Sequence, residues 1–390
     1  MARLLLILAL FILPLVSMAA DSILLQDLMR TLPEPLRAML QDPQHEVQIV
    51  YTQIDRDESN VPRFTRHQLG VAPQRYFYPA STVKFPVALF ALEKLGACQV
   101  SGLDRTSTMV TESVAASVED YVRKIFLVSD NDAYNKLYGW LGIDEIQHQL
   151  QVKGCRDARI VHRLAVKRAP RSGYQSAAVH FLSEDGRVIL DQGQLISEAT
   201  HTHSLPSKKG DGYWKDGALI SEAKDFGENN SFPILEQQTL LQQVIFPESV
   251  AADQRFVLSA SDRAFVLQAM SDFPREETIF TAYQKRADDE VKAFIGWHPK
   301  PIRGSLRCYN KSGQAYGFLI DNAYVVDFEQ GVEFFLAAVV HVNANRIYND
   351  DHYQYESRGY PFLRALGRVV HEFETSRSRP HRPDFSSLGR

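Results

Sequence analysis

The sequence predicts an α+β fold: an antiparallel sheet flanked by helices, with a helical lobe and an inserted β-hairpin region. Three observations carry this. Strand-like runs sit near both chain ends, EVQIVYTQID from Glu46, then Leu306–Lys311, Gly317–Phe328 and Val332–Val342. The segments between them are mostly helical by their apolar periodicity. Strands from both ends of a helical chain are most simply joined in a single antiparallel sheet with helices packed on it. The 390 residues are 45% hydrophobic and 23% charged, enough for one large core or two modest ones. A net charge of −4 offers no nucleic-acid footprint.

Taken in order, the chain opens on MARLLLILALFILPLVSMAADS, with a basic Arg3, an apolar run from Leu4 to Val16, and Ser17-Met18-Ala19 as a small-x-small cleavage site. That pattern is a secretory signal peptide over residues 1–19. The apolar run is short for a membrane span, so the expectation is a secreted, periplasmic protein with no membrane span after cleavage. No cysteine follows the site to carry a lipid. The body, 22–374, begins with a helix from Asp21 to Met39. The strand EVQIVYTQID and the run Pro62 to Val71 flank the polar turn DRDESN and read as a hairpin. A strongly apolar helix spans Ala80 to Leu95, stopped by Gly96, with Pro86 tolerated in its first turns. Ala116 to Val128 is amphipathic, and after Ser129-Asp130-Asn131 a second helix begins with Asp132 as its cap. From about residue 165 to 230 the texture is that of an insertion, containing a hairpin around Asp185-Gly186 and a polar, glycine-rich stretch. Helices follow at Leu235–Ile245, Ser261–Asp272 and Phe362–Phe373. The Arg- and Pro-rich tail, 375–390, reads as disordered. Cys98, Cys155 and Cys308 are too few for a disulfide scaffold; one bridge, or three buried thiols, are both compatible with the sequence.

The chemistry starts from FYPASTVKFPVALFALEKL, Phe77 to Leu95. Lys84 lies inside what reads as a buried helix, where an unpartnered ammonium is costly. Ser81 is one turn before it, on the same face. A helix start aims N–H groups and a positive dipole end at its surroundings, which stabilises an oxyanion. Desolvation pushes a lysine toward its neutral form, a usable base. Ser-x-x-Lys alone is weak evidence, and Ser221-Glu222-Ala223-Lys224 repeats it, but that copy opens no apolar helix and reads as ordinary surface.

Two further motifs follow in order, Ser129-Asp130-Asn131 between helices and Lys311-Ser312-Gly313 at a strand end. Ser-x-x-Lys, Ser-Asp-Asn and Lys-[Ser/Thr]-Gly in this order resemble the signature of class A β-lactamases and penicillin-binding proteins. The likeness extends to the aliphatic pair before the second motif, to Ala133 and Asn135 after it, and to a C-terminal helix after the last strands. It runs from about Glu46 to Glu374, outside the insertion. The resemblance implies that Ser81 is the nucleophile and Lys84 its activator, and that Ser129 shuttles a proton to the leaving nitrogen. Asn131 would hold Lys84 and the substrate amide. Lys311 would lower neighbouring hydroxyl pKa values and attract a substrate carboxylate, which Ser312 would bind. Gly313 completes that motif, and the N–H groups of Ser81 and Gln314 would form the oxyanion hole.

Two departures stand out. Class A enzymes carry a glutamate in a stretch like Arg-Leu-Asp-Arg-x-Glu-Pro. The matching stretch here is DARIVHRLAVKRAP, with Arg159 and Ile160 in register and Leu164 about where the glutamate belongs. Glu184, Glu222 and Glu228 are substitutes only if they leave the solvated surface. The arginine that helps bind the substrate carboxylate is absent from LIDNAYVVD. His201-Thr202-His203 and His341 lack the surroundings of a metal site, so no metal or cofactor is expected. Tyr213 and Trp214 either line a substrate groove or pack the insertion onto the body. The expected function is that of a secreted serine hydrolase forming an acyl-enzyme on Ser81 with a β-lactam or a related amide or ester carbonyl. The alternatives are a penicillin-binding D,D-peptidase or esterase acting on peptidoglycan fragments, and a slowly deacylating β-lactam or muropeptide sensor. The partner in each case is a small molecule.

Overall fold

A computed structural model describes residues 21–72, 74–166, 174–199 and 201–388. The expected signal peptide lies outside them. The helix read over Asp21 to Met39 is two, α1 (Ile23–Met29) and α2 (Glu34–Gln41). Pro33 and Pro35 account for the break, because a proline removes an amide donor and disfavours helical geometry in the residue before it.

The central sheet is built from both ends of the chain. β1 (Gln48–Arg56) pairs antiparallel with β2 (Pro62–Leu69) from Ile49↔Leu69 to Arg56↔Pro62. In the turn between them the Asp57 carboxylate accepts from the amides of Ser59 and Val61, both at 3.0 Å. The helical lobe follows: a 3₁₀ turn, Ala80–Val83, leads into α3 (Lys84–Ala97), then the short hairpin β3 (Thr108–Thr111) and β4 (Val114–Ser117), and α4 (Val118–Val128), α5 (Asn131–Leu141) and α6 (Ile143–Val152). α3 runs through Gly96 rather than stopping there. α4 starts two residues later than its periodicity suggested, because Ser117 and Asp120 form a reciprocal capping box. Asp130, not Asp132, caps α5, accepting from the Ala133 amide at 2.8 Å.

The inserted region holds β5 (Tyr174–Gln175), β6 (Val179–Leu182), β7 (Val188–Gln192), β8 (Ile196–Ser197), β9 (Lys208–Lys209), β10 (Gly212–Lys215), β11 (Ala218–Ile220) and β12 (Lys224–Asp225). The hairpin expected around Asp185-Gly186 is β6–β7, and β6 also pairs with β3, giving a four-stranded sheet on the lobe. The region is therefore part of the body: Val179 and Phe181 enter the lobe core, and Phe226 enters an apolar cluster with Tyr76, Tyr78 and Tyr348.

After α7 (Ile234–Ile245) and α8 (Ala260–Ser271) come β13 (Leu306–Asn310), β14 (Gly313–Ala315), β15 (Phe318–Asp327), β16 (Val332–His341), β17 (Ile347–Tyr348) and α9 (Tyr360–Ser376). The sheet order is β13-β15-β16-β1-β2, with β14 also on β15. β15 and β16 are buried along their whole length, as expected of strands covered on both faces. α1 and α9 pack with the sheet in one core and the lobe helices form another.

The tail expected to be disordered packs instead. Phe385 meets Phe328 edge-on at 5.1 Å, Leu388 is buried, and Arg377 and Arg379 both pair with the buried Glu374. Its arginines have a carboxylate to neutralise, which a compositional reading cannot see. All three cysteines are free thiols, so neither bridge nor pairing arises.

Candidate active site

Ser81 sits in the 3₁₀ turn before α3, partly exposed, with Ala80 forced to a left-handed φ of 49° just before it. Ser129, where α4 ends, has φ 56°, and Tyr316, three residues beyond Gly313, has φ 55°. Strained non-glycine backbone of this kind persists where surrounding packing over-determines it, often at functional sites.

Lys84, the first residue of α3, is fully buried. Its Nζ donates to the Ser129 carbonyl at 2.5 Å and to Asn131 Oδ1 at 2.7 Å, and lies 3.2 Å from Ser129 Oγ. Burial lowers its pKa to about 7, with the charge of Asp130 opposing the shift. None of its three hydrogen-bond acceptors is a carboxylate, so they and the charge of Asp130 offset the burial of an ammonium only in part.

Lys311 approaches from the sheet. Its Nζ donates to Ser129 Oγ at 2.9 Å and to the Ser312 carbonyl at 2.6 Å. Burial holds its pKa well below the usual lysine value, and the neighbouring Lys84 adds to that. The two lysines thus converge on one hydroxyl, from opposite walls. Gly313 fixes the distance between those walls. A Cβ there would fall 2.8 Å from the Ser81 amide nitrogen, 2.9 Å from the Pro79 carbonyl and 3.0 Å from the Thr82 amide nitrogen. Only glycine lets β14 lie this close to the Ser81 turn. Gln314 follows, exposed, and its side chain accepts from Tyr360 Oη at 2.7 Å. The eight catalytic and substrate-binding residues read from sequence are thus carried by three adjoining pieces: the 3₁₀ turn with α3, the α4–α5 junction, and the β13–β14 connection with the start of β14.

Leu164 lies in a loop held against α5. Its N–H donates to Asn135 Oδ1 at 2.8 Å and its carbonyl accepts from Asn135 Nδ2 at 2.9 Å. Asn135 is one turn along α5 from Asn131, so the loop is clamped to the helix that begins at the second motif. The Leu164 side chain is buried in the apolar core of the lobe. Glu184, Glu222 and Glu228 are exposed. Of these, Glu228 lies in the loop that clasps the Leu164 segment, where Asn230 Oδ1 accepts from the Val161 amide at 2.7 Å and Ser231 bridges Arg159.

The inserted region walls one side. Tyr78 meets Tyr316 edge-on at 5.0 Å, Phe226 meets Tyr316 at 5.4 Å, and Lys224 Nζ lies over the rings of Tyr213, Phe226 and Tyr316. Tyr213 therefore packs, while Trp214 stays 42% exposed. The second Ser-x-x-Lys copy lies on no helix: Ser221 is exposed and Lys224 is in β12. His201 pairs with Asp144, His203 stacks on Tyr76, and His341 stacks on Phe318. Sequence reading missed Lys292 and Asp321, both fully buried near Lys311. A lysine in a polar loop and an aspartate in an otherwise apolar strand were the available signals.

Residues 31–183 match the Beta-lactamase enzyme family, a span that includes Ser81, Lys84, the second motif and Leu164. No curated protein matches the chain. Among solved structures, PBP-A is 16% identical, with a TM-score of 0.51 over 90% of this chain and 96% of that one. A class A β-lactamase from Bacteroides cellulosilyticus DSM 14838 is 12% identical, with a TM-score of 0.50 over 90% and 98%. At such identities the likeness is one of fold. The chain therefore has a β-lactamase/transpeptidase-like fold, and over residues 31–183 it is similar to the Beta-lactamase enzyme family.

Proposed function

We propose that the protein is an exported serine hydrolase in which Ser81 forms an acyl-enzyme with a β-lactam or a related amide or ester carbonyl. The observation that carries this is the convergence of two buried lysines on Ser129 Oγ, at 3.2 and 2.9 Å, beside the turn that presents Ser81. Lys84, whose lowered pKa of about 7 makes its neutral amine available at neutral pH, takes the Ser81 proton as Oγ attacks the carbonyl carbon. Ser129, between the two amines, passes a proton to the departing nitrogen and is resupplied through Lys84. Lys311 as an ammonium, with Ser312, draws the substrate carboxylate to the β14 side. The amides of Ser81 and Gln314 receive the oxyanion, each worth about 3–4 kcal/mol when such a donor is removed. Asn131 orients Lys84 and the substrate amide.

Deacylation is where this site is poor. It requires a water deprotonated against the acyl carbonyl, and the position that would supply the base is a buried leucine. A positioned general base contributes roughly 10²–10⁴-fold, so the acyl-enzyme is expected to be long-lived. That favours a penicillin-binding peptidase, esterase or sensor over an efficient β-lactamase. Comparing D-alanine release from a peptide substrate with hydrolysis of a chromogenic cephalosporin separates these readings.

The test of the nucleophile is direct. Ser81→Ala, which removes one partly exposed hydroxyl, should fold normally and lose all labelling by a fluorescent penicillin. Ser221→Ala should label like the wild type. A folded Ser81→Ala protein that labels undiminished would sink the assignment.

A further inference from the structure

The strand in which an arginine was sought, β15, offers none, and the face it shares with β13 and β14 shows what is there instead. Asn310↔Ala323 and Gly313↔Ile320 lie in one register, so side chains alternate without a break across the β13–β14 connection. Lys311 and Gly313 face Ser129 and the Ser81 turn. Asn310, Ser312 and Gln314 therefore face the other way, toward α9. Leu319, opposite Gln314, packs in one core with Phe362 and Leu363 of that helix. Most polar groups of this face are spent internally. Asn310 Nδ2 donates to Asp321 Oδ1 at 2.8 Å, and its Oδ1 accepts from the fully buried Lys292 at 3.1 Å. Arg364, in α9, pairs with the buried Asp289 at 3.0 Å. Gln314 is the group that reaches the open. Its Oε1 accepts from Tyr360 Oη at 2.7 Å in an exposed hydrogen bond, and its Nε2 has no hydrogen-bond partner among the described residues.

We propose that the Gln314 carboxamide, held by Tyr360, is a specificity-determining group that receives the substrate carboxylate beside Ser312, where an arginine was sought. This rests on the reading of the site as a serine hydrolase. β13 and β14 lie at one edge of the sheet, so a ligand along that edge meets Ser312 and Gln314 two residues apart, about 7 Å along the strand. The hydrogen bond from Tyr360 decides which end of the amide is presented. With Oε1 taken by the phenol, the NH₂ turns outward with two N–H donors. Burial, with Glu356 and Asp321 nearby, raises the Tyr360 phenol to about 12, so it keeps its proton and donates at neutral pH. The Arg364 guanidinium over its ring, 5.5 Å from the centroid, strengthens that donation. The arm is neutral, and this suits a site that already holds two buried lysines, because a further cation would push both amines lower. The substrates it fits carry a free carboxylate on the leaving side, as penicillins and peptides with a free C-terminus do.

The experiment compares a penicillin with its methyl ester, which keeps the reactive carbonyl and lacks the carboxylate. Rates of Ser81 acylation are measured on the full chain by intact-protein mass spectrometry. Gln314→Ala should lower the acid-to-ester ratio of rates about tenfold, the scale of one hydrogen bond to a charged group. The loss should appear in the half-saturating concentration rather than in the limiting rate. Tyr360→Phe should lower the ratio about threefold or more, and should add nothing in the Gln314→Ala background. Gln314→Glu should lower it beyond Gln314→Ala, since it sets a like charge against the carboxylate. Equal losses on acid and ester, an unchanged ratio in Gln314→Ala, or independent effects of the two residues would overturn the proposal. Calorimetric binding of the acid to Ser81→Ala reads the same contact without acylation, and Gln314→Ala in that background should weaken it about tenfold. Absence of acylation in the wild type, with that binding difference intact, would overturn the serine-hydrolase reading and leave the carboxylate arm standing. Binding equal with and without the Gln314 side chain would overturn the arm.

Discussion

Lys84 is where the cost and the use of a buried charge meet. Because burial brings its pKa to about 7, the amine is the minority form below that pH and the majority form above it. The acylation rate should therefore rise about tenfold per pH unit below 7 and level off above it, as for any base whose neutral form is the reactive one. A rate independent of pH between 5 and 8 would remove Lys84 from the proton path. Gly313 offers a second test. An added Cβ would meet three backbone atoms of the Ser81 turn at 3.0 Å or less, none of which can swing aside. Gly313→Ala should cut penicillin labelling roughly a hundredfold by forcing β14 and that turn apart, and should cost about 1–3 kcal/mol of stability. At this scale the sequence was informative, since residue type and order picked out both lysines and the hydroxyl they share. Asp321 and Lys292 escaped it because a buried charge network shows only once β13 and β15 are paired.

At the scale of elements, the α4–α5 junction is the organiser. Ser129 ends one helix, Asp130 caps the next, and Asn135 in that helix holds the Leu164 loop by two hydrogen bonds of 2.8 and 2.9 Å. Asn135→Ala would leave two buried backbone groups unpaired, at a cost of about 2–4 kcal/mol, measurable by urea denaturation; a loss under about 0.5 kcal/mol would mean the loop is held elsewhere. Leu164→Glu places a carboxylate at that position. Its expected outcome is faster release of a bound penicilloyl group, by roughly 10²–10⁴-fold, at some expense in stability because the site is apolar. An unchanged release rate would show that the water lacks more than a base. Helix identities here were legible from apolar spacing, but helix starts were not. Ser117 and Asp130 took the caps by local hydrogen bonds that periodicity does not weigh.

For the whole molecule, one sheet joins strands from both chain ends, and the C-terminal segment closes it. Glu374 is buried with Tyr51, and burial raises its pKa against the pull of Arg377 and Arg379. A chain ending at Ser376 loses both arginines and keeps the carboxylate. It should be less stable by about 3–5 kcal/mol, the usual cost of stripping partners from a buried charge; an unchanged urea midpoint would return the tail to the status of an appendage. The sheet was predictable because its strands are apolar and few. The roles of tail and insertion were not, because both look polar along the chain. They bury their few apolar residues, Leu388, Phe181 and Phe226, against partners hundreds or scores of residues away. The claim on which the rest depends is that this sheet and lobe bring together the means to acylate Ser81 without the means to release it quickly. Intact-protein mass spectrometry after mixing with a penicillin measures both at once. The account predicts a single covalent adduct, mapped to Ser81, that persists for many minutes after excess ligand is removed. Rapid consumption of the penicillin with no detectable adduct would contradict it.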